Sequence, residues 1–98
     1  MNIKNTQASM PSNSPPQLSS EYLQEKLTGS IWMQNKKYPY LFEPNGTCEI
    51  LNHSRWGHYT ISSDGRSVFL TWTDPAYTEQ LFVLEDGSFF LGGSVLVS

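Results

Sequence analysis

Residues 56–73 read WGHYTISSDGRSVFLTWT, and the reading of the whole chain turns on them. Val68, Leu70 and Trp72 alternate with Ser67, Phe69, Thr71 and Thr73. A period of two puts one set on each face of a strand, the pattern of a sheet with one face buried. Upstream, residues 56–62 carry aromatic and β-branched side chains that suit a pleated, half-buried surface. Asp64-Gly65 lies between the two runs. That pair suits a tight hairpin turn whose two central residues both have φ > 0, matching the twist of paired strands.

The same signal recurs at Asn45-Gly46 and Asp86-Gly87, 19 residues before and 22 residues after. These spacings are about two short strands and their turns. Strands are expected at residues 30–34, 38–43, 47–51, 56–62, 67–73, 79–85, 88–91 and 95–97, with residues 74–77 as a loop. In the second, Tyr38, Tyr40 and Phe42 share a face. Pro39 cannot donate to a ladder, so that strand is expected to start at an edge or a bulge. Seven or eight short strands joined in series give an all-β fold: a small antiparallel meander barrel or a flattened sandwich. Bulky inward residues point to a filled core rather than a deep cup.

Residues 1–20, MNIKNTQASMPSNSPPQLSS, hold one charge, Lys4, and no aromatic residue. Such a stretch buries too little apolar area to offset its ordering entropy, so it reads as a disordered polar leader before a domain at residues 21–98. One short helix is expected at residues 20–27, with Ser19 or Ser20 as N-cap, acids at Glu21 and Glu25, and Gly29 as its stop. It would plug one end of the β domain.

The 13 aromatic residues in 98 must supply much of the buried area of so small a domain. Residues 21–98 carry a net charge of −4, which argues against a broad phosphate-binding surface and makes nucleic acid an unfavoured partner. The single cysteine, Cys48, excludes an intramolecular disulfide. No apolar h-region precedes the domain and no stretch is long and apolar enough to span a bilayer, so the expected location is the cytoplasm.

Leu27-Thr28-Gly29 followed by Trp32 resembles the opening of lipocalin- and avidin-type barrels, a short helical turn with Leu-x-Gly-x-Trp. Here the spacing is one residue longer, Gly-x-x-Trp. Phe42 before a turn glycine, Trp56 at a strand start and Val68-x-Leu70-x-Trp72 are similar to small lipocalin-like bacterial domains. The resemblance covers residues 27–93 and implies a barrel with the Trp closing one end. It speaks to fold and not to function. Ile3, the lack of acids and the Ser, Asn and Gln content of the leader resemble a type III secretion signal, which implies export as an effector.

Cys48, His53 and His58 offer soft and imidazole donors, but their spacing matches no zinc signature and no orienting acid accompanies a Cys–His pair. No metal, cofactor or catalytic set is therefore expected. Lys36, Lys37, Tyr38 and Tyr40, with Arg55, Trp56, His58 and Tyr59, form two basic-aromatic groups that the acidic balance argues against as a nucleic-acid surface. Trp32, Trp56 and Trp72 could line a sugar or apolar ligand site, but rings at strand period are read as core, with Trp56, which follows the polar loop 52–55, set at a barrel rim. Phe89-Phe90 places one ring on each face of a strand, so Tyr77, Phe82 and Phe90 are expected as an exposed apolar strip. An edge near Tyr38 or residues 94–98 would be open to a partner strand. The expected binding residues are Trp56, Tyr77, Phe82, Phe90 and Tyr38. The expected function is a non-enzymatic binding domain that works by contact with another protein or a second copy. The alternative is a lipocalin-like carrier of a small apolar or sugar ligand.

Overall fold

The computed structural model describes residues 19–98. The expected leader lies, but for its last two residues, outside the described residues, and so does the resemblance to a secretion signal. Ser19 is the N-cap of helix α1 (Ser20–Thr28). Its backbone is extended and its Oγ accepts from the Tyr22 N–H at 3.1 Å, satisfying one of the orphan donors of the first turn. Glu21 in the first turn and Lys26 in the last suit the helix dipole, and Gly29 is the C-cap. Leu23 and Leu27, four residues apart, are the buried face.

Eight strands follow: β1 (Trp32–Gln34), β2 (Tyr38–Phe42), β3 (Thr47–Ile50), β4 (Arg55–Ile61), β5 (Ser67–Trp72), β6 (Tyr77–Val83), β7 (Phe89–Leu91) and β8 (Ser94–Val95). They form one antiparallel sheet in chain order. The sheet curls until Met33 meets Val97. Met33 N–H donates to Val97 O at 2.7 Å and Val97 N–H donates to Met33 O at 3.0 Å. The product is a nearly closed barrel of eight strands and one short helix.

Alternation decides what fills it. Trp32, Tyr40, Phe42, Cys48, Ile50, Tyr59, Val68, Leu70, Trp72, Leu81, Phe89, Leu91 and Leu96 point inward and join Leu23 and Leu27 in one core cluster. Trp32 meets Phe89 edge-on at 4.6 Å, and Phe42 meets Tyr59 edge-on at 5.4 Å between ring centroids. Gly57 is buried opposite both Cys48 and Trp72. A Cβ there would stand 2.4 Å from Thr71 O and 2.9 Å from Cε3 of Trp72. The missing side chain is what allows the indole to lie across β4.

The turns depart from the expected type. Gly46, Gly65 and Gly87 have φ of +94°, +70° and +87°, but the residue before each does not have positive φ. Each turn closes instead by a glycine N–H donating three residues back, to Glu43, Ser62 and Leu84 respectively. This is a type I turn with glycine in the left-handed position that follows. The Asn and Asp serve as side-chain caps. Asn45 Oδ1 accepts from the N–H and hydroxyl of Thr47, and Asp86 Oδ1 from those of Ser88. Asp64 Oδ1 accepts from Arg66 N–H and Ser62 Oγ–H. The turns with φ > 0 at both central residues are Asn35-Lys36 and Gly92-Gly93.

Pro39 also differs from expectation. Strand β2 is internal, between β1 and β3. Its register with β3 starts only at Tyr40, opposite Ile50, so the missing N–H falls at the ladder's end, while Pro39 O still accepts from Leu51 N–H at 2.8 Å.

The meander sorts its connections between two ends. The turns at Gly46, Gly65 and Gly87 lie at the end that α1 plugs. Trp32 Nε1 donates to Leu27 O at 3.0 Å, Gln24 Nε2 to the Tyr59 hydroxyl at 3.1 Å, and Lys26 Nζ to Gly87 O. The turns at Asn35-Lys36, 51–54, 73–76 and Gly92-Gly93 surround the other end, which no helix covers among the described residues. Among the described residues, no helix is long and apolar enough to cross a membrane.

Candidate functional site

The uncovered end is a shallow mouth of about 330 Å³ lined by Gln34, Tyr38, Tyr40, Ile50, Tyr77, Glu79 and Gly92. Its depth is set by Trp72 and Tyr40, whose rings lie 6.1 Å apart beneath it. The core is thus filled at the helix end, as expected, and opens into a small cup at the other.

Register explains the lining. Val68 faces Leu81, Leu70 faces Glu79 and Trp72 faces Tyr77 across β5 and β6. Residues directly opposite share a face, so Tyr77 and Glu79 point into the barrel with Leu81. Glu79 Oε2 accepts from Trp72 Nε1 at 2.6 Å, which fixes the carboxylate on the floor of the mouth. Across from it, Tyr40 O–H donates to Gln34 Oε1 at 3.2 Å, and Gln34 Nε2 donates to Leu91 O at 2.7 Å. Gly92 is required here: its φ is +60°, and a Cβ would stand 2.8 Å from Gln34 Nε2. This chain of bonds ties β2, β1 and β7 together at the level of the mouth.

Arg55 shares the inward face with Gly57 and Tyr59. Its Nη1 donates to Thr73 O and Asp74 O, both at 2.8 Å, pinning the β5–β6 loop. Its guanidinium lies over the Tyr77 ring at 5.2 Å and the Trp72 ring at 5.4 Å. Nη2 is buried without a hydrogen-bond partner among the described residues, and the two ring faces stand in for one. On the opposite rim Lys37 Nζ sits 5.4 Å from the Tyr38 ring centroid, and the His53 ring lies 4.9 Å from that of Tyr38.

The carboxylate is felt through the interior. Burial first and Glu79 second hold the Tyr40 phenol well above its ordinary range. The same two causes, in the same order, push the Cys48 thiol up to about 12. Cys48 is a buried thiol, while His58 points outward on β4 and His53 stands in the exposed 51–54 loop, so the three do not converge. Among the described residues no three His, Cys, Asp or Glu side chains gather as a metal site.

The five binding residues expected from sequence fall in three places. Tyr38 and Tyr77 meet at the mouth. Phe82 and Phe90 pair on the outside of β6 and β7, next to Val95 on β8. Trp56 is alone on the outer face of β4, 58 % exposed, opposite Glu49. The expected strip of Tyr77, Phe82 and Phe90 is therefore split. An odd number of residues separates Tyr77 from Leu81 and an even number separates it from Phe82, so it takes the inner face. The loop assigned to residues 74–77 hid that parity.

A second, larger depression of about 730 Å³ runs outside the barrel along the closing seam, lined by Ile31, Met33, Asn35, Lys36, Ser94, Val95, Val97 and Ser98. It is mainly apolar, and its Ser94 hydroxyl and Asn35 amide oxygen are bonded to each other at 2.7 Å, whereas the mouth gathers a carboxylate, an amide and three tyrosines and is the better chemical site despite its smaller size. In comparisons with known proteins, no family model matches the chain, and no curated protein or solved structure matches it significantly.

Proposed function

We propose that the domain is a non-enzymatic binding module that takes a small ligand into the uncovered mouth of its barrel. The observation that carries this is the gathering of a carboxylate, an amide and three tyrosines around one opening at the end away from α1. Tyr38, Tyr40, Tyr77, Gln34 and Glu79 surround an opening at the lower bound of the roughly 300–1,000 Å³ of small-molecule sites. The opposite end is sealed by α1 and by Trp32 against Leu27, which supports the lipocalin-type reading of residues 27–32. Nothing in the mouth joins a nucleophile to a base, which favours binding over catalysis.

A second reading is protein contact through the outer wall. Phe82 is 46 % and Val97 is 63 % exposed, and with Phe90, Val95, Met33 and Ile31 they make an apolar band across β6, β7, β8 and β1. One experiment separates the two. Thermal shifts would be recorded with a panel of small sugars, organic acids and amines on the wild type, a Tyr77→Leu variant and a Phe82→Ser, Phe90→Ser double variant. Stabilisation that survives in the double variant and disappears in Tyr77→Leu is the expected result. No stabilisation by any compound, together with self-association or co-purifying protein lost only in the double variant, would replace the mouth by the outer wall.

A further inference from the structure

We propose that the ligand of the mouth is a small organic cation, an ammonium-bearing molecule held between tyrosine rings with its charge toward Glu79. This rests on the reading of the mouth as the binding site and names the chemistry it selects.

The floor of the mouth is a carboxylate inside a barrel. Trp72 Nε1 supplies one hydrogen bond to Glu79 Oε2. Glu79 is half-buried, and a positive charge brought beside it in this partly shielded site interacts with it more strongly than it would in bulk water. The mouth's own guanidinium does not provide it. Arg55 is committed to the Thr73 and Asp74 carbonyls and to two ring faces. Lys36 lines the outer seam groove rather than the mouth. Lys37 lies over the Tyr38 ring at the rim.

The walls have matching chemistry. Tyr38, Tyr40 and Tyr77 bring three electron-rich rings around one opening. A ring face attracts a cation within about 6 Å of its centroid, more strongly when both are shielded from water. The chain itself shows this preference, since Arg55 and Lys37 already rest on rings of this set. An anion would meet the Glu79 carboxylate head-on, and that carboxylate already raises the cost of charging Tyr40 and Cys48. A neutral polyol would leave the carboxylate without a counter-charge. An opening of about 330 Å³ has room for a small guest such as a trimethylammonium head group.

Choline and its uncharged carbon isostere, 3,3-dimethylbutan-1-ol, have the same shape and differ in charge. Calorimetric titration of both into the full chain therefore isolates the cation. Choline is expected to bind at ~1 mM or tighter, and the isostere at least about tenfold more weakly. Glu79→Gln should weaken choline by about tenfold or more, while its unfolding midpoint stays near that of the wild type, because glutamine still accepts from Trp72. Tyr77→Leu should weaken choline as well. Equal affinity for choline and the isostere would overturn the proposal, as would choline binding that ignores Glu79→Gln. No choline binding at ~10 mM would overturn it too. If a sugar or acid still stabilises the wild type through Tyr77, only the cation is wrong. If no compound does, the mouth reading falls with it.

Discussion

Cys48 sits on the inner face of β3 against Gly57, with Glu79 bearing on it from across the barrel. Its thiol is held up to about 12 in the folded chain, against ~8.5 for an unperturbed cysteine. The sign follows from proton counting. Below the unfolded pKa both states keep the proton and stability is unaffected. Above it the unfolded chain releases a proton that the native chain retains, so stability falls as pH rises toward the folded value. Tyr40 and Tyr59 are raised as well, chiefly by burial, but unfolded tyrosine titrates only near pH ~10. Between about pH 8 and 9, urea unfolding should thus lose stability with a slope that rises to about 1 kcal/mol per pH unit, mostly from one proton. Cys48→Ala should lose most of that slope in the same window. An unchanged slope in Cys48→Ala would show that another group is responsible. At this scale the sequence was informative where parity was clear, as for Val68, Leu70 and Trp72. It was blind at Glu79 and Arg55, charged residues that local pattern assigns to solvent and that register carries inside. An acid two positions from Leu81 was the available signal.

The hairpins show the same division one level up. Asn-Gly and Asp-Gly marked three real connections, because a glycine beyond a helical-type turn supplies the left-handed residue that lets the strands pair. The turn type was not legible, because it depends on where Thr47, Arg66 and Ser88 stand relative to the capping oxygen. The two tightest turns, Asn35-Lys36 and Gly92-Gly93, fall in the gaps between expected strands but carry no Asn-Gly or Asp-Gly to mark them. The capping geometry makes a prediction about acid. The Ser62 hydroxyl first and the Arg66 N–H second hold Asp64 below the usual aspartate range; the Ser88 hydroxyl and N–H do the same for Asp86. A lowered pKa contributes stability above the unfolded value of ~3.9, which is lost as pH falls through the folded value. Asn45 makes the same two bonds with an uncharged amide. An Asp64→Asn, Asp86→Asn double variant should keep the turns and unfold less steeply between about pH 4 and 2. Circular dichroism during an acid titration would read this. An acid limb as steep as that of the wild type would mean that the carboxylates which matter lie elsewhere.

For the whole molecule, closure is the feature that sequence pattern reaches least. Strand order follows from short connections, but whether a meander stays open or curls into a barrel depends on accumulated twist. Here the ends meet through one bridge, Met33 with Val97, while β5 and β6 are paired from Ser67–Phe82 to Trp72–Tyr77. Stability should therefore grade around the barrel, lowest at the seam and highest in β4, β5 and β6. Val97→Pro tests this cleanly. The side chain is mostly exposed, so little packing is lost, and the substitution removes the N–H that donates to Met33 O. Amide hydrogen exchange should then quicken at Met33 and in β1 and β8, and leave the amides of β5 nearly as protected as in the wild type. Exchange that quickens equally everywhere would mean that the barrel opens only by global unfolding and that the seam is no weaker than the rest. The distinction bears on function. The mouth draws Gln34 and Gly92 from the two sides of the seam and Tyr77 and Glu79 from the strongly paired wall. A seam that opens locally would let that rim widen to admit a ligand while the carboxylate and its indole partner stay fixed.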